Sequence, residues 1–221
     1  GGDPDLSTSK EIIFEIIKSD ADIIEIGMPF SDPMADGPTI QLSSNRAIKN
    51  NINLDSIFDI CLEVRKTNEN IPIILMGYYN VILHFGIKEF VKKCSLIGID
   101  GLIIVDLQPE EDDELFEEMK NAHIDLIRLI TPNTTDSRIK IITKNASGFL
   151  YYVTVTGITG QESADMNDLK NSIKKIKKFT ALPIVAGFGI KNKSHVNQIC
   201  KITDGAVVGS SIIKIIEDNM D

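Results

Sequence analysis

With 221 residues, 43% of them apolar and 25% charged, the chain can build a sizeable hydrophobic core. Acids outnumber bases 32 to 23, and the net charge of −9 argues against a protein that works on nucleic-acid phosphates or anionic membranes. A small phosphorylated ligand stays open, because backbone N–H groups bind a single phosphate locally.

In chain order, Gly1-Gly2-Asp3-Pro4 reads as the loop that follows a strand. Ile12, Ile13, Ile16 and Ile17 form a helical stripe after a Ser7-Thr8-Ser9 capping region. Short apolar runs then recur: Ile23–Gly27, Ile73–Gly77, Leu102–Asp106, Leu126–Thr131, Phe149–Thr154, Ile184–Gly187 and Ala206–Gly209. Each is too short for a typical helix and rich in β-branched residues, which predicts strands covered on both faces. Pro109 followed by four acids, Glu110 to Asp113, reads as a helix start. Leu169, Ile173 and Ile176 form a further helical stripe, and Ser210-Ser211 opens a short amphipathic helix. Alternating strand and helix predicts a parallel α/β fold. A closed barrel has eight strands, so a (β/α)8 TIM barrel is expected here as a single domain over residues 1–221, incomplete at both ends, with its first strand upstream of Gly1. An open doubly wound sheet is the other topology that fits.

Cys61, Cys94 and Cys200 are far apart and lack metal spacing, so they read as reduced core residues of a cytoplasmic protein. His84, His123 and His195 are equally scattered, and no metal site is expected. No apolar run approaches the ~20 residues of a membrane span.

Glu25 lies within an Ile-rich strand, on the same face as Ile23 and Gly27 and near the C-terminal end. A carboxylate there is costly unless a site uses it, and desolvation should raise its pKa towards the range for proton transfer; an ion-paired structural role is the alternative. The loop that follows carries Pro29, Pro33, Asp36-Gly37 and Pro38, and Pro38 can start the next helix. Asp32 and Asp36 also suit turn positions. Three small-residue loops follow late strands: Thr159-Gly160, Gly187-Phe188-Gly189 and Gly209-Ser210-Ser211. Glycine admits oxygens close to the backbone, and a helix N-terminus favours an anion, so these loops predict phosphate binding.

The run Glu25-Ile26-Gly27-Met28-Pro29-Phe30-Ser31-Asp32-Pro33-Met34-Ala35-Asp36-Gly37-Pro38-Thr39-Ile40-Gln41 resembles the signature segment of the tryptophan synthase α chain. The resemblance continues through Met76-Gly77-Tyr78-Tyr79-Asn80, Asp106-Leu107-Gln108-Pro109-Glu110-Glu111, Gly157-Ile158-Thr159-Gly160, Gly187-Phe188-Gly189-Ile190 and Gly205 to Ser211, nearly the whole chain. It implies retro-aldol cleavage of indole-3-glycerol phosphate to indole and glyceraldehyde 3-phosphate. It places the family's essential carboxylates on Glu25 and Asp36. It lines the indole slot with Ile40, Met76, Ile103, Val105, Leu129, Tyr151 and Thr159, and assigns phosphate to Gly160, Gly187, Phe188, Gly189, Ser210 and Ser211. It further implies an α2β2 tetramer in which pyridoxal phosphate belongs to the β chain, with no cofactor on this chain; Phe30 and Met34 are then candidates to face that partner. Departures accompany the match: Gln108 stands where the family usually has proline, and the arginine common after Thr-Gly is missing. The polar segment Gln161–Asp168 is expected as a mobile lid. A related phosphate-binding isomerase, or a non-catalytic barrel that activates a partner, would be the competing functions; the intact Glu25 and Asp36 argue against the second.

Overall fold

The β-branched runs become short parallel strands, because alternate side chains on each can pack on opposite faces of a sheet. The structure, a computed structural model, describes residues 1–153, 162–187, 189–190 and 192–220. Its elements are α1 (Leu6–Lys18), β1 (Ile24–Gly27), α2 (Pro38–Lys49), α3 (Leu54–Thr67), β2 (Ile73–Gly77), α4 (Tyr79–Phe85), α5 (Ile87–Ile97), β3 (Gly101–Ile104), α6 (Asp113–Asn121) and β4 (Asp125–Leu126). They continue as β5 (Arg128–Ile130), α7 (Asp136–Lys144), β6 (Leu150–Val153), α8 (Glu162–Ile176), β7 (Ile184–Gly187), α9 (Lys193–Ile199), β8 (Gly205–Val207) and α10 (Ser210–Asp218). Two compact units divide the chain, one formed by Gly1–Leu126 with the residues from Ile216 on, the other by Ile127–Ile215.

The first unit holds a parallel sheet in the order β1-β2-β3-β4. Its register pairs Gly27 with Met76 and Met76 with Ile103, so these positions share one face. Glu25 lies two residues before Gly27 and belongs to the same face. The opposite face, Ile24, Ile26, Ile73, Leu75, Leu102 and Ile104, is buried in a core with Ile57, Phe58 and Cys61 of α3 and Phe90 and Cys94 of α5. The aromatic rings of Phe58, Phe85 and Phe90 meet there at centroid distances of 5.7 to 6.2 Å, within the usual range for edge contacts.

The second unit repeats the plan in the order β5-β6-β7-β8. Leu129 pairs with Tyr151 and Tyr151 with Val185, which puts Leu129, Tyr151 and, by alternation, Gly187 on one face. The other face, with Ile130, Leu150, Tyr152, Ile184 and Ala186, packs with Leu169, Ile173 and Ile176 of α8.

Each sheet is pinned at a strand start in the same manner. Asp100, just before β3, accepts the N–H of Ile73 at the head of β2 at 2.7 Å. Arg65 from α3 pairs with that carboxylate and donates to the Gly98 carbonyl at 2.6 Å. In the second unit Asp204, just before β8, accepts the N–H of Ile184 at the head of β7 at 2.8 Å, and Lys177 donates to the same carboxylate at 2.8 Å.

Several local expectations change. The run Leu126–Thr131 is two strands separated at Ile127, which raises the described strands to eight. The cap of α1 is Asp5, whose carboxylate accepts from the amides of Ser7 and Thr8; Ser7-Thr8-Ser9 lie inside the helix. Helix α6 starts at Asp113, because residues 108–111 close a turn through Glu111 N–H to Gln108 O at 3.0 Å. The segment expected as a lid, Gln161–Asp168, is helical from Glu162 onward, the N-terminal extension of the stripe that α8 packs on its core. Cys61 and Cys94 are core residues, whereas Cys200 is exposed.

Candidate active site

Glu25 projects from β1 on the face it shares with Met76 and Ile103. Its side chain is reached by solvent, yet protein crowds the carboxyl closely enough that desolvation, reinforced by the charge of Asp36, raises its pKa to about 7. The expected rise in pKa by desolvation is present, although the Glu25 side chain is exposed and not buried within its strand.

Asp36 is placed by the loop after β1. That loop turns through Asp36 N–H to Pro33 O at 3.0 Å, and Gly37 and Pro38 then start α2, with Gly37 at the N-cap and Pro38 at the first helical position. Gln41 Nε2 donates to the Asp36 carbonyl at 2.9 Å. Tyr78, directly after β2, donates its hydroxyl to Asp36 Oδ2 at 3.0 Å and accepts the Ala35 N–H at 3.0 Å. Partial burial raises the Asp36 pKa, and the Tyr78 hydrogen bond opposes that rise.

A concavity in the first unit is lined by Asp36, Ile40, Met76, Tyr78 and Val105, together with Gly27 and residues of the Met28–Pro33 loop. Four expected site residues therefore meet in one place, three of them apolar around one carboxylate. Glu25 and Ile103 are not among its lining residues; Ile103 lies on the shared sheet face beside Met76 and is fully buried.

In the second unit, Leu129 and Tyr151 are half-buried neighbours on one face. A Cβ at Gly187 would sit 2.6 Å from the Tyr151 hydroxyl oxygen, so glycine is what lets this tyrosine lie across β7. Gly189 has φ +58°, a left-handed conformation costly for other residues. Ser210 and Ser211 begin α10, and the Ser211 hydroxyl donates to the Ile190 carbonyl. Thr159, Gly160 and Phe188 lie outside the described residues.

Tyr78, Ser44 and Gln41 did not emerge from the sequence as site residues. The available signal was a phenol immediately beyond a strand end, but its partner can be read only in three dimensions. Phe30, a candidate to face a partner, packs on Tyr78 with ring centroids 5.2 Å apart, and Met34, the other candidate, is 79% exposed. Among the described residues no group of three or more His, Cys, Asp or Glu could hold a metal ion, and no helix is long and apolar enough to cross a membrane.

Parallel βα units with acidic groups on and beyond a strand's C-terminal end define the class of α/β-barrel enzymes. A family model described as tryptophan synthase alpha chain matches residues 1–221. The alpha chain from Petrotoga mobilis is 45% identical over 220 residues, covering 100% of this chain and 85% of the relative. That from Methanocaldococcus jannaschii is 45% identical over 221 residues, covering 100% and 78%. Among solved structures, the alpha subunit from Legionella pneumophila superposes with a TM-score of 0.90 at 35% identity, over 100% of this chain and 83% of that one. A Pyrococcus furiosus chain, from a study of mutual activation in the tryptophan synthase α2β2 complex, gives 0.90 at 35% identity over 98% and 87%. The chain belongs to the tryptophan synthase alpha chain family. Its fold is the α/β barrel of those relatives, and its activity is that of a carbon–carbon lyase that cleaves indole-3-glycerol phosphate in tryptophan biosynthesis.

Proposed function

We propose that Glu25 and Asp36 perform this cleavage as a pair with separate tasks. As the carbon–carbon bond breaks, indole C3 must gain a proton and the side-chain hydroxyl must lose one to become the aldehyde of glyceraldehyde 3-phosphate. Glu25 moves these protons. Asp36 accepts the ring N–H and stabilises the positive charge that develops at the nitrogen when an indolenine-like intermediate forms. The observation that carries the assignment is the placement of Glu25 on β1 and of Asp36 on the loop that follows it, near enough for the Asp36 charge to help desolvation raise the Glu25 pKa to about 7, where both protonation states are accessible.

Ile40, Met76 and Val105 would hold the indole ring, with buried Ile103 backing Met76; Leu129, Tyr151 and Thr159 are assigned to the ring by family resemblance. Gly160, Gly187, Phe188, Gly189, Ser210 and Ser211 would take the phosphate; the left-handed backbone at Gly189 and the N-terminus of α10 support that reading. The chemistry needs no metal, no Schiff-base lysine and no cofactor of this chain's own, and pyridoxal phosphate is assigned to a β-chain partner in an α2β2 tetramer. Exposed Met34, two residues before Asp36, is the point at which docking would reach the site. The setting is cytoplasmic, in keeping with the reduced thiols of Cys61 and Cys94.

Indole release from indole-3-glycerol phosphate tests the assignment. Asp36→Asn should lower kcat by roughly 100-fold or more through loss of charge at the ring nitrogen. An unchanged kcat would remove Asp36 from the mechanism, and no indole from the parent chain with its partner present would favour an isomerase or a purely activating barrel.

A further inference from the structure

We propose that Tyr78 is a positioning residue for Asp36: it latches the end of the Met28–Asp36 loop and holds one carboxylate oxygen so that the other meets the ligand. The proposal rests on the assignment of Asp36 to the ring nitrogen and adds how that carboxylate is aimed.

A phenol has one proton to donate and lone pairs to accept with. The Ala35 N–H occupies the accepting side at 3.0 Å, and the proton is directed to Asp36 Oδ2 at 3.0 Å. Consecutive residues, one through its backbone and one through its side chain, are thereby tied to a single atom. That atom is itself immobilised. Tyr78 is 2% exposed, and its ring lies against Phe30 with centroids 5.2 Å apart and planes inclined by 31°. Phe30 is fixed in turn by Ser44 of α2, whose hydroxyl accepts the Phe30 N–H at 2.9 Å and donates to the Phe30 carbonyl at 2.8 Å. The rigid body of α2 therefore reaches Asp36 by two routes, Ser44 to Phe30 to Tyr78, and Gln41 to the Asp36 carbonyl. Burial pushes the Tyr78 hydroxyl up to about 12, so it remains a donor throughout the working pH range. Two effects on Asp36 follow: one rotamer is selected, and the ionised state is favoured.

Tyr78→Phe keeps the ring, its stack on Phe30 and the apolar lining, and removes only the oxygen. Three readouts are measured: the Asp36 carboxyl titration by NMR in the isolated chain, the pH profile of indole release, and a double-mutant cycle with Asp36→Asn. The Asp36 titration should move up by roughly half a unit to one unit, and the acid limb of kcat/KM should move with it. We expect kcat to fall about 10-fold while KM changes less than about 2-fold, because the loss lies in alignment rather than in binding. In the Asp36→Asn background the same change should cost less than about 2-fold, since Tyr78 acts through the carboxylate. An unmoved Asp36 titration, or an equal loss in both backgrounds, overturns the proposal. A moved titration with full activity in both Tyr78→Phe and Asp36→Asn leaves the latch standing and removes Asp36 from catalysis.

Discussion

A group that both gives and takes a proton in one turnover must spend comparable time in both states, and Glu25 is poised to do so. Replacing it with glutamine removes the exchangeable proton but keeps the shape; turnover should fall at least ~100-fold in an indole-release assay, with substrate binding retained. The same pKa has a signature in stability. The folded value of about 7 lies above the ordinary 4.5, so between these values the folded state binds more protons than the unfolded state. Stability linked to Glu25 is therefore full below about pH 4.5 and is lost as the pH rises through 7. Glu25→Gln should consequently melt above the parent at pH 8, and the gap should close towards pH 4.5; a constant gap in thermal scans would mean that Glu25 titrates as an ordinary carboxylate. Glu25 and Asp36 were legible in the sequence because the run that contains them is long and unusual. Tyr78 was not, because periodicity records which residues are apolar and is silent about where a hydroxyl points.

Strands were the most legible elements, since continuous β-branched runs have few other uses. Ile73–Gly77 and Ile184–Gly187 have the expected limits, but the break at Ile127 falls inside a run read as one strand, where Arg128 alone interrupts the apolar residues. Helix starts were less legible, because capping residues compete. Asp5 outdoes Ser7, Thr8 and Ser9 by receiving two amides at once, and the acids after Pro109 first form a turn before Asp113 and Glu114 take up the N-terminus of α6. The late loops make their own prediction at this scale. Gly189 is left-handed, so Gly189→Val should strain the backbone, and Ser211→Pro removes the amide and the hydroxyl bonded to Ile190. Each should raise KM for the phosphorylated substrate far more than it weakens binding of free indole. Equal losses for both ligands would place the phosphate elsewhere.

For the whole molecule, the two apolar residues of the active-site loop part company. Met34 is open to solvent, whereas Phe30 supports Tyr78. Met34→Ala should weaken acceleration by the β chain several-fold and leave the slow basal rate unchanged, while Phe30→Ala should depress the basal rate itself. Rates measured with and without the partner separate the two, and unchanged acceleration in both variants would show that neither residue serves docking. The division into units at Leu126 was not legible in the sequence, for the βα alternation runs on evenly through it. The pinned strand starts, Asp100 with Arg65 and Asp204 with Lys177, carry a consequence of a different kind. They fasten the scaffold at the strand ends opposite those from which the reactive loops spring. A frame secured in this way can be refitted: loop sequences may drift, lengthen or be exchanged for others with little demand on the fastenings. Inheritance can therefore experiment with chemistry at one end of the strands while the other end conserves the architecture.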